Sequence, residues 1–400
     1  MSRFDLSRPV PLLILGDSPD QTTGLARIGH DLAWLLSGMP EFQVGYLGRM
    51  GVGKAHFPWV SYSFPATAQW GEDHIQNAFE DLSQGRKGIV LTVWDATRLL
   101  WFADPMGMPE RLQKFLASGA AERWGYFMQD SEGVRAGHLP LTAAHVMSKY
   151  NRVLLASKWG CEITKRTLPD HPDVDWCPHI LNTERFSPVD RMYARAHWGV
   201  DEREVLIGCV MANQERKHFP AIFEALATMR GTTAGKPKLW VHTDKLAPIP
   251  GWGYWNLEAL AYEYGIGDSV IFDVMQRTDK DMAMCYSACD ATVVISGGEG
   301  FGYPIAESLG CGVPCVSGQY GAGGELTSHA VVPFAHRIET QHNVRRAYYK
   351  TSDVVMGLEA AVDGVRSGDF EKEWAQEQVA HLSGAKIGKV FQKWVRRDLQ

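Results

Sequence analysis

The sequence predicts an α/β protein built from two doubly wound domains, each a largely parallel sheet flanked by helices. Three observations carry that expectation. The chain has 400 residues, more than one compact core usually holds. Short apolar runs alternate with longer amphipathic stretches, the rhythm of βαβ units. That rhythm stops at a polar segment, residues 168–190, holding Pro169, Pro172, Pro178 and Pro188, and then starts again. In the first half, residues 11–15 form the first strand and 24–37 its helix. Further strands follow at 42–47, 89–93, 124–128 and 152–156. The second half gives strands at 205–210, 238–242, 270–272, 291–295 and 313–316, with helices at 219–229 and 279–288. Ligands of such sheets bind beyond the carboxyl ends of the strands, so two facing domains would create a cleft.

Composition narrows the function. A net charge of −6 gives no global attraction to nucleic acid or anionic membrane, so such a partner would need a local basic patch. Seven cysteines, an odd number, fit a reducing compartment better than a disulfide framework. Cys285/Cys289 and Cys311/Cys315 have one-turn spacing without His partners in ligand spacing, which favours core packing over zinc. No apolar run reaches about 18 residues, and the opening Met1-Ser2-Arg3-Phe4-Asp5 has no signal-peptide core. The expectation is a cytoplasmic protein that does not insert into membranes.

The most informative stretch is residues 296–318. An apolar run at 291–295 reads as a buried strand, so Gly297, Gly298, Gly300 and Gly302 fall where strand turns into helix. Glycines there let backbone approach a ligand closely, and the N–H groups opening the next helix face any anion placed there. Glu299 in the loop and Glu307 about two turns on can accept hydroxyls from different parts of one elongated ligand. The pattern Glu299-Gly-Phe-Gly-Tyr-Pro-Ile-Ala-Glu307, followed by Gly310, Gly312 and Pro314, resembles the donor-site signature of group 1 glycosyltransferases. These are the glycogen-synthase-like, retaining, nucleotide-sugar enzymes of GT-B fold.

The resemblance implies a division of labour. Residues 1–180 would form the acceptor-side Rossmann-like domain, 181–383 the nucleotide-sugar domain, and a last helix at about 384–400 would pack back on the first. Residues 177–188 resemble the family's connection between domains. Residues 211–218, Met-Ala-Asn-Gln-Glu-Arg-Lys-His, look like the loop whose cations grip the donor diphosphate, here Arg216 and Lys217. Cations fixed in a dry cleft stabilise the charge gathering on a departing diphosphate. By the same resemblance Glu307 accepts from ribose hydroxyls and Glu299 from the transferred sugar. Gly300, Phe301, Gly302 and Tyr303 supply backbone contacts, and Met275, with Val274 and Gln276 beside it, lies where relatives cover the nucleobase. The loop 16–26 places Gly24 beside the donor phosphates and Asp17 toward the acceptor. Relatives often carry a His after a strand of this half. This chain has Asp130 instead, with Asp95 and His138 as further acceptor-side candidates.

The implied reaction is retaining transfer of a hexose from a nucleotide diphosphate sugar, most simply a UDP-sugar, to an acceptor hydroxyl. Asp130, Arg216, Lys217 and Glu299 are its catalytic candidates, with no tightly bound cofactor. The implied reaction uses no divalent metal, so amides and the two cations carry the leaving charge. A leaving phosphate oxygen can serve as base, which removes the need for a carboxylate dyad. Two other classes compete: a sugar-nucleotide-binding module without transfer, and an NTPase. For the latter, Gly48-Arg-Met-Gly-Val-Gly53-Lys54 follows a strand as a P-loop does, but Ala55 lacks the magnesium-binding hydroxyl and Pro58 discourages a helix. The opening Gly16-Asp-Ser-Pro with Thr23-Gly24 is similar to glycosyltransferases of bacteriophage and archaea, some of which decorate hydroxymethylated DNA bases. Modified double-stranded DNA is thus one acceptor, beside a glycan, lipid or small-molecule alcohol. Lys386, Lys389, Lys393, Arg396 and Arg397 would be its phosphate patch, or a solvated helix face.

Overall fold

A computed structural model describes residues 4–51, 56–232, 236–247, 254–326, 331–340 and 342–397. The chain divides into two compact units, one of Met1–Ile180 with Ala385–Gln400 and one of Leu181–Gly384. In the first, seven strands form one sheet: β1 Val10–Asp17, β2 Phe42–Arg49, β3 Val60–Phe64, β4 Gly88–Val93, β5 Ala121–Phe127, β6 Arg152–Leu155 and β7 Val174–Trp176. Their order is β3-β2-β1-β4-β5-β6-β7, and every neighbouring pair is parallel. β1 lies at the centre and is buried along its length, with Leu12 paired to Val44 on one side and Ile89 on the other. Central strands of a parallel sheet are covered on both faces, which is why they read as unbroken apolar runs.

Helix α1, Gly24–Ser37, returns the chain from β1, capped by Thr23, whose side chain accepts from the Ala26 amide at 3.0 Å. The C-terminal helix Gly384–Arg396 buries Ile387, Phe391, Trp394 and Val395. It is fixed to the first unit by Arg152, fully buried, which donates to the Trp394 carbonyl at 2.5 Å and to Asp173 at 2.6 Å. The same guanidinium lies 4.5 Å from the Trp124 ring and 4.2 Å from that of Trp394.

The second unit repeats the winding with six strands: β8 Leu206–Val210, β9 Lys238–His242, β10 Val270–Asp273, β11 Ala291–Val294, β12 Cys315–Gly318 and β13 Val331–Val332. The order is β10-β9-β8-β11-β12-β13, again parallel throughout. Helices α2 Phe219–Thr232 and α3 Asp279–Ala288 are among its connections. A buried carboxylate, Asp290, ties its base together: it accepts from Arg191 at 2.7 Å, from Arg195 at 3.3 Å and from the Leu206 amide at 2.8 Å.

Some elements differ from the sequence reading. The segment 168–190 is more than a connection, because β7 forms inside it as an edge strand paired only to β6. β3 is likewise an edge strand with an exposed, alternating pattern that no apolar run announces. The strand expected at 313–316 starts two residues later, since Val313 and Pro314 complete the turn out of the preceding helix. Val52, Gly53 and Lys54 of the P-loop-like heptad and the following Ala55 lie outside the described residues, and among the described residues the next regular element is strand β3. All seven cysteines are buried and free.

Candidate active site

In each sheet the strand order reverses direction once, between β1 and β4 in the first unit and between β8 and β11 in the second. Loops leaving the carboxyl ends of two such strands diverge and leave a crevice, the usual ligand position of this architecture. In the second unit the loop after β8 carries Arg216 and Lys217, and the loop after β11 carries Ser296–Gly302. The two are stitched together. The Gly297 amide donates to the Arg216 carbonyl at 2.7 Å, and the His218 amide donates to the Ile295 carbonyl at 3.1 Å.

The charged groups converge at this seam. Lys217, only 6% exposed, makes a direct ion pair through its Nζ to Glu299 Oε1, and Arg216 Nη1 lies 3.7 Å from the same oxygen. Arg216 also donates to Ser296 Oγ at 3.1 Å and to the Gly298 carbonyl. Burial pushes the Glu299 carboxyl up, but the charges of Lys217 and Arg216 outweigh it and hold the group below the usual carboxylate range. Behind the cations, Trp255 Nε1 donates to the Lys217 carbonyl at 3.0 Å, and Asn213 Nδ2 donates to the Trp255 carbonyl at 2.7 Å.

Helix α4, Tyr303–Gly310, starts from Gly302, whose φ of +101° lies where L side chains are strained. That reversal carries the chain from Glu299 into the helix bearing Glu307. Glu307 is 6% exposed, and the Tyr286 hydroxyl, on α3, donates to its Oε2 at 2.9 Å. Burial, then the Glu307 charge, hold the Tyr286 phenol well above its ordinary value, so it acts as a donor. Phe301 is buried, and its ring packs edge-on to that of Tyr303 at 5.2 Å. After β10, Val274, Met275 and Gln276 are exposed, with Met275 held by its amide on Asp273 Oδ1 at 3.2 Å.

The candidates of the first unit lie at carboxyl ends too: Asp17 is the last residue of β1, Asp95 follows β4 and Asp130 follows β5. Asp17 is a keystone of its own loop. It accepts from Trp94 Nε1 at 3.0 Å and from Thr23 Oγ1 at 2.9 Å, while its carbonyl takes the Tyr46 hydroxyl at 2.8 Å. Asp95 pairs with Arg98 at 3.5 Å, and Asp130 is half-buried. His138 faces the Ala136 carbonyl through Nδ1 at 2.9 Å. Gly24 is exposed, and a Cβ there would meet nothing within 4 Å, leaving the start of α1 open. The structure therefore gathers Arg216, Lys217 and Glu299 tightly in one unit, and lines up Asp17, Asp95 and Asp130 along one sheet edge in the other. Sequence reasoning gave no role to Tyr286, Ser296, Asn213 and Trp255; Ser296 and Asn213 lie inside the two motif stretches, whereas Tyr286 and Trp255 stand in none.

Two units, each built on a doubly wound parallel sheet, are the architecture of the GT-B fold. Residues 193–344 match the family model for Glycosyl transferases group 1. D-inositol 3-phosphate glycosyltransferase from Mycobacterium sp. (strain KMS) is 32% identical over 183 residues, covering 42% of this chain and 38% of that protein. Its counterpart in Segniliparus rotundus is 27% identical over 214 residues, 54% of this chain and 41% of that one. The matches thus span about two fifths of those curated relatives. Among solved structures, sucrose-phosphate synthase from Thermosynechococcus elongatus is similar with a TM-score of 0.74 at 16% identity, covering 97% of this chain and 98% of that one. HepE of Anabaena, in complex with UDP-glucose, gives 0.66 at 13% identity, covering 96% and 99%. These likenesses show the fold.

Proposed function

We propose that the protein is a retaining glycosyltransferase that moves a hexose from a UDP-sugar to an acceptor hydroxyl. The observation that carries this is the convergence of Arg216, Lys217 and Glu299 at the reversal point of the second sheet. In the donor complex Arg216 and Lys217 face the diphosphate and stabilise its charge as the sugar leaves. Glu299, kept ionised by those cations, accepts from the hydroxyls of the sugar, and Glu307 accepts from the ribose. Gly300, Gly302 and Tyr303 present backbone, and Met275 covers the base. A phosphate oxygen of the leaving group takes the acceptor proton on the face it vacates, while Asp130 orients the acceptor hydroxyl. The leaving charge needs no divalent ion in this scheme, so turnover persists in chelator.

The acceptor we favour is a small polyol, with D-inositol 3-phosphate, named in the relatives, as the first to try. The DNA alternative rests on the likeness of Gly16-Asp-Ser-Pro and Thr23-Gly24 to phage and archaeal enzymes, with the terminal basic cluster, whose Lys386, Lys389 and Lys393 are exposed, as its phosphate patch. There Arg396 is spent on Glu41 at 2.7 Å, and Arg397 pairs with Asp173. Replacing Arg216 and Lys217 together by Ala should nearly abolish UDP-glucose turnover in a folded protein. Unchanged turnover would refute the assignment.

A further inference from the structure

Beyond β13 the chain forms an antiparallel hairpin, β14 Ala335–Glu339 and β15 Val344–Tyr348, whose register sets Arg337 directly opposite Arg346. Like charges facing each other across an antiparallel pair destabilise it. One carboxylate on that face, Glu339, takes Arg346 Nε at 3.1 Å and also lies 3.7 Å from His342. Arg337 instead stacks over the ring of Tyr348, 5.2 Å from its centroid, and is exposed. In a chain of net charge −6 the hairpin brings Arg337, Arg345 and Arg346 together beside Glu339.

The hairpin is built onto the donor loop. The Ala347 amide donates to the Gly297 carbonyl at 3.0 Å, and the Tyr349 hydroxyl donates to the Ser296 carbonyl at 3.0 Å. The Arg346 Cβ would lie 3.3 Å from a Cβ placed on Gly297, so a glycine there is what lets the arginine lie against the loop that carries Glu299. Tyr348 and Tyr349 in turn close on His218, next to Lys217, with ring centroids 4.8 Å and 5.7 Å away. The family match ends at residue 344, so β15 lies almost wholly beyond it.

We infer that Arg337 and Arg346 bind a phosphoryl group carried by the acceptor, an inference that rests on the donor-site reading above. Guanidinium forks suit phosphate oxygens bidentately, and the tyrosine shelf holds Arg337 extended before the ligand arrives. The donor diphosphate already has Arg216 and Lys217, which leaves the hairpin for the second substrate.

The test is calorimetry on the full chain saturated with UDP, titrated with inorganic phosphate and with D-inositol 3-phosphate. Phosphate affinity should fall about tenfold or more in Arg337→Gln, with part restored in Arg337→Lys. UDP affinity, read separately, should stay at the wild-type value in both. Phosphate binding that ignores Arg337→Gln would overturn the inference, as would phosphate binding that disappears once UDP is bound. Failure of UDP itself to bind would remove the donor reading instead, and the Arg337→Gln titration without UDP would still report on the hairpin.

Discussion

Replacing Lys217 by Ala isolates the role of the buried cation. Its ammonium is in direct contact with Glu299, and Arg216 stands 3.7 Å from the same oxygen. Two unit charges about 4 Å apart attract by about 4 kcal/mol at the effective dielectric of such sites. The lysine's own desolvation offsets part of this, and Arg216 remains, so the net loss of stability should be about 1–3 kcal/mol. Glu299 then titrates higher, because burial is opposed by one cation instead of two. In the wild type this depressed carboxyl stabilises the fold above its ordinary value of 4.5, and that contribution is lost as the pH falls through the lowered value. In Lys217→Ala the contribution shrinks and acid unfolding begins at higher pH. The catalytic loss is separate: one preorganised stabiliser of leaving-group charge is worth about a hundredfold to a thousandfold in kcat. Adding Glu299→Gln should recover much of the stability, since no unpaired carboxylate stays buried, but none of the turnover. Thermal melts and a UDP-release assay read the two terms. A kcat for Lys217→Ala within about threefold of wild type would defeat the reasoning.

Two further outcomes follow from the geometry. Tyr286→Phe removes the donor to Glu307 Oε2 and frees that carboxylate to turn, so UDP should bind about tenfold more weakly, with kcat nearly unchanged once the donor saturates; calorimetry with UDP checks this. Burial lowers His179 to about 3 and His218 to about 4. The unfolded chain therefore takes up protons near pH 6.5 that the folded chain refuses, and stability should drop as pH falls from 6.5 toward 4. His218→Gln should reduce that slope by about 1.4 kcal/mol per pH unit, measured by urea unfolding across this range.

Much of this was legible in the amino acids because central parallel strands are apolar on both faces. β1, β4, β8 and β11 announce themselves without any tertiary knowledge. β3 and β7 do not, since an edge strand alternates or is short, and each is fixed by its one partner. The hairpin β14–β15 was unreadable for the same reason, as β14 is exposed or half-exposed throughout. In the site, Glu299, Glu307, Arg216 and Lys217 stand in local patterns of glycine, acid and base. Tyr286 does not, because it sits 21 residues from its carboxylate and meets it only through the packing of two helices. Asp17, legible as a polar residue in a promising loop, also has oxygens that hold that loop together, which no local pattern announces.

Arg152 has a consequence for how the molecule is made. Its guanidinium is covered by a tryptophan that lies 242 residues further along the chain. During synthesis the first sheet is thus complete long before the ring that shields its buried cation leaves the ribosome. Until then that cation has Asp173 and the Trp124 ring beside it without the second tryptophan face.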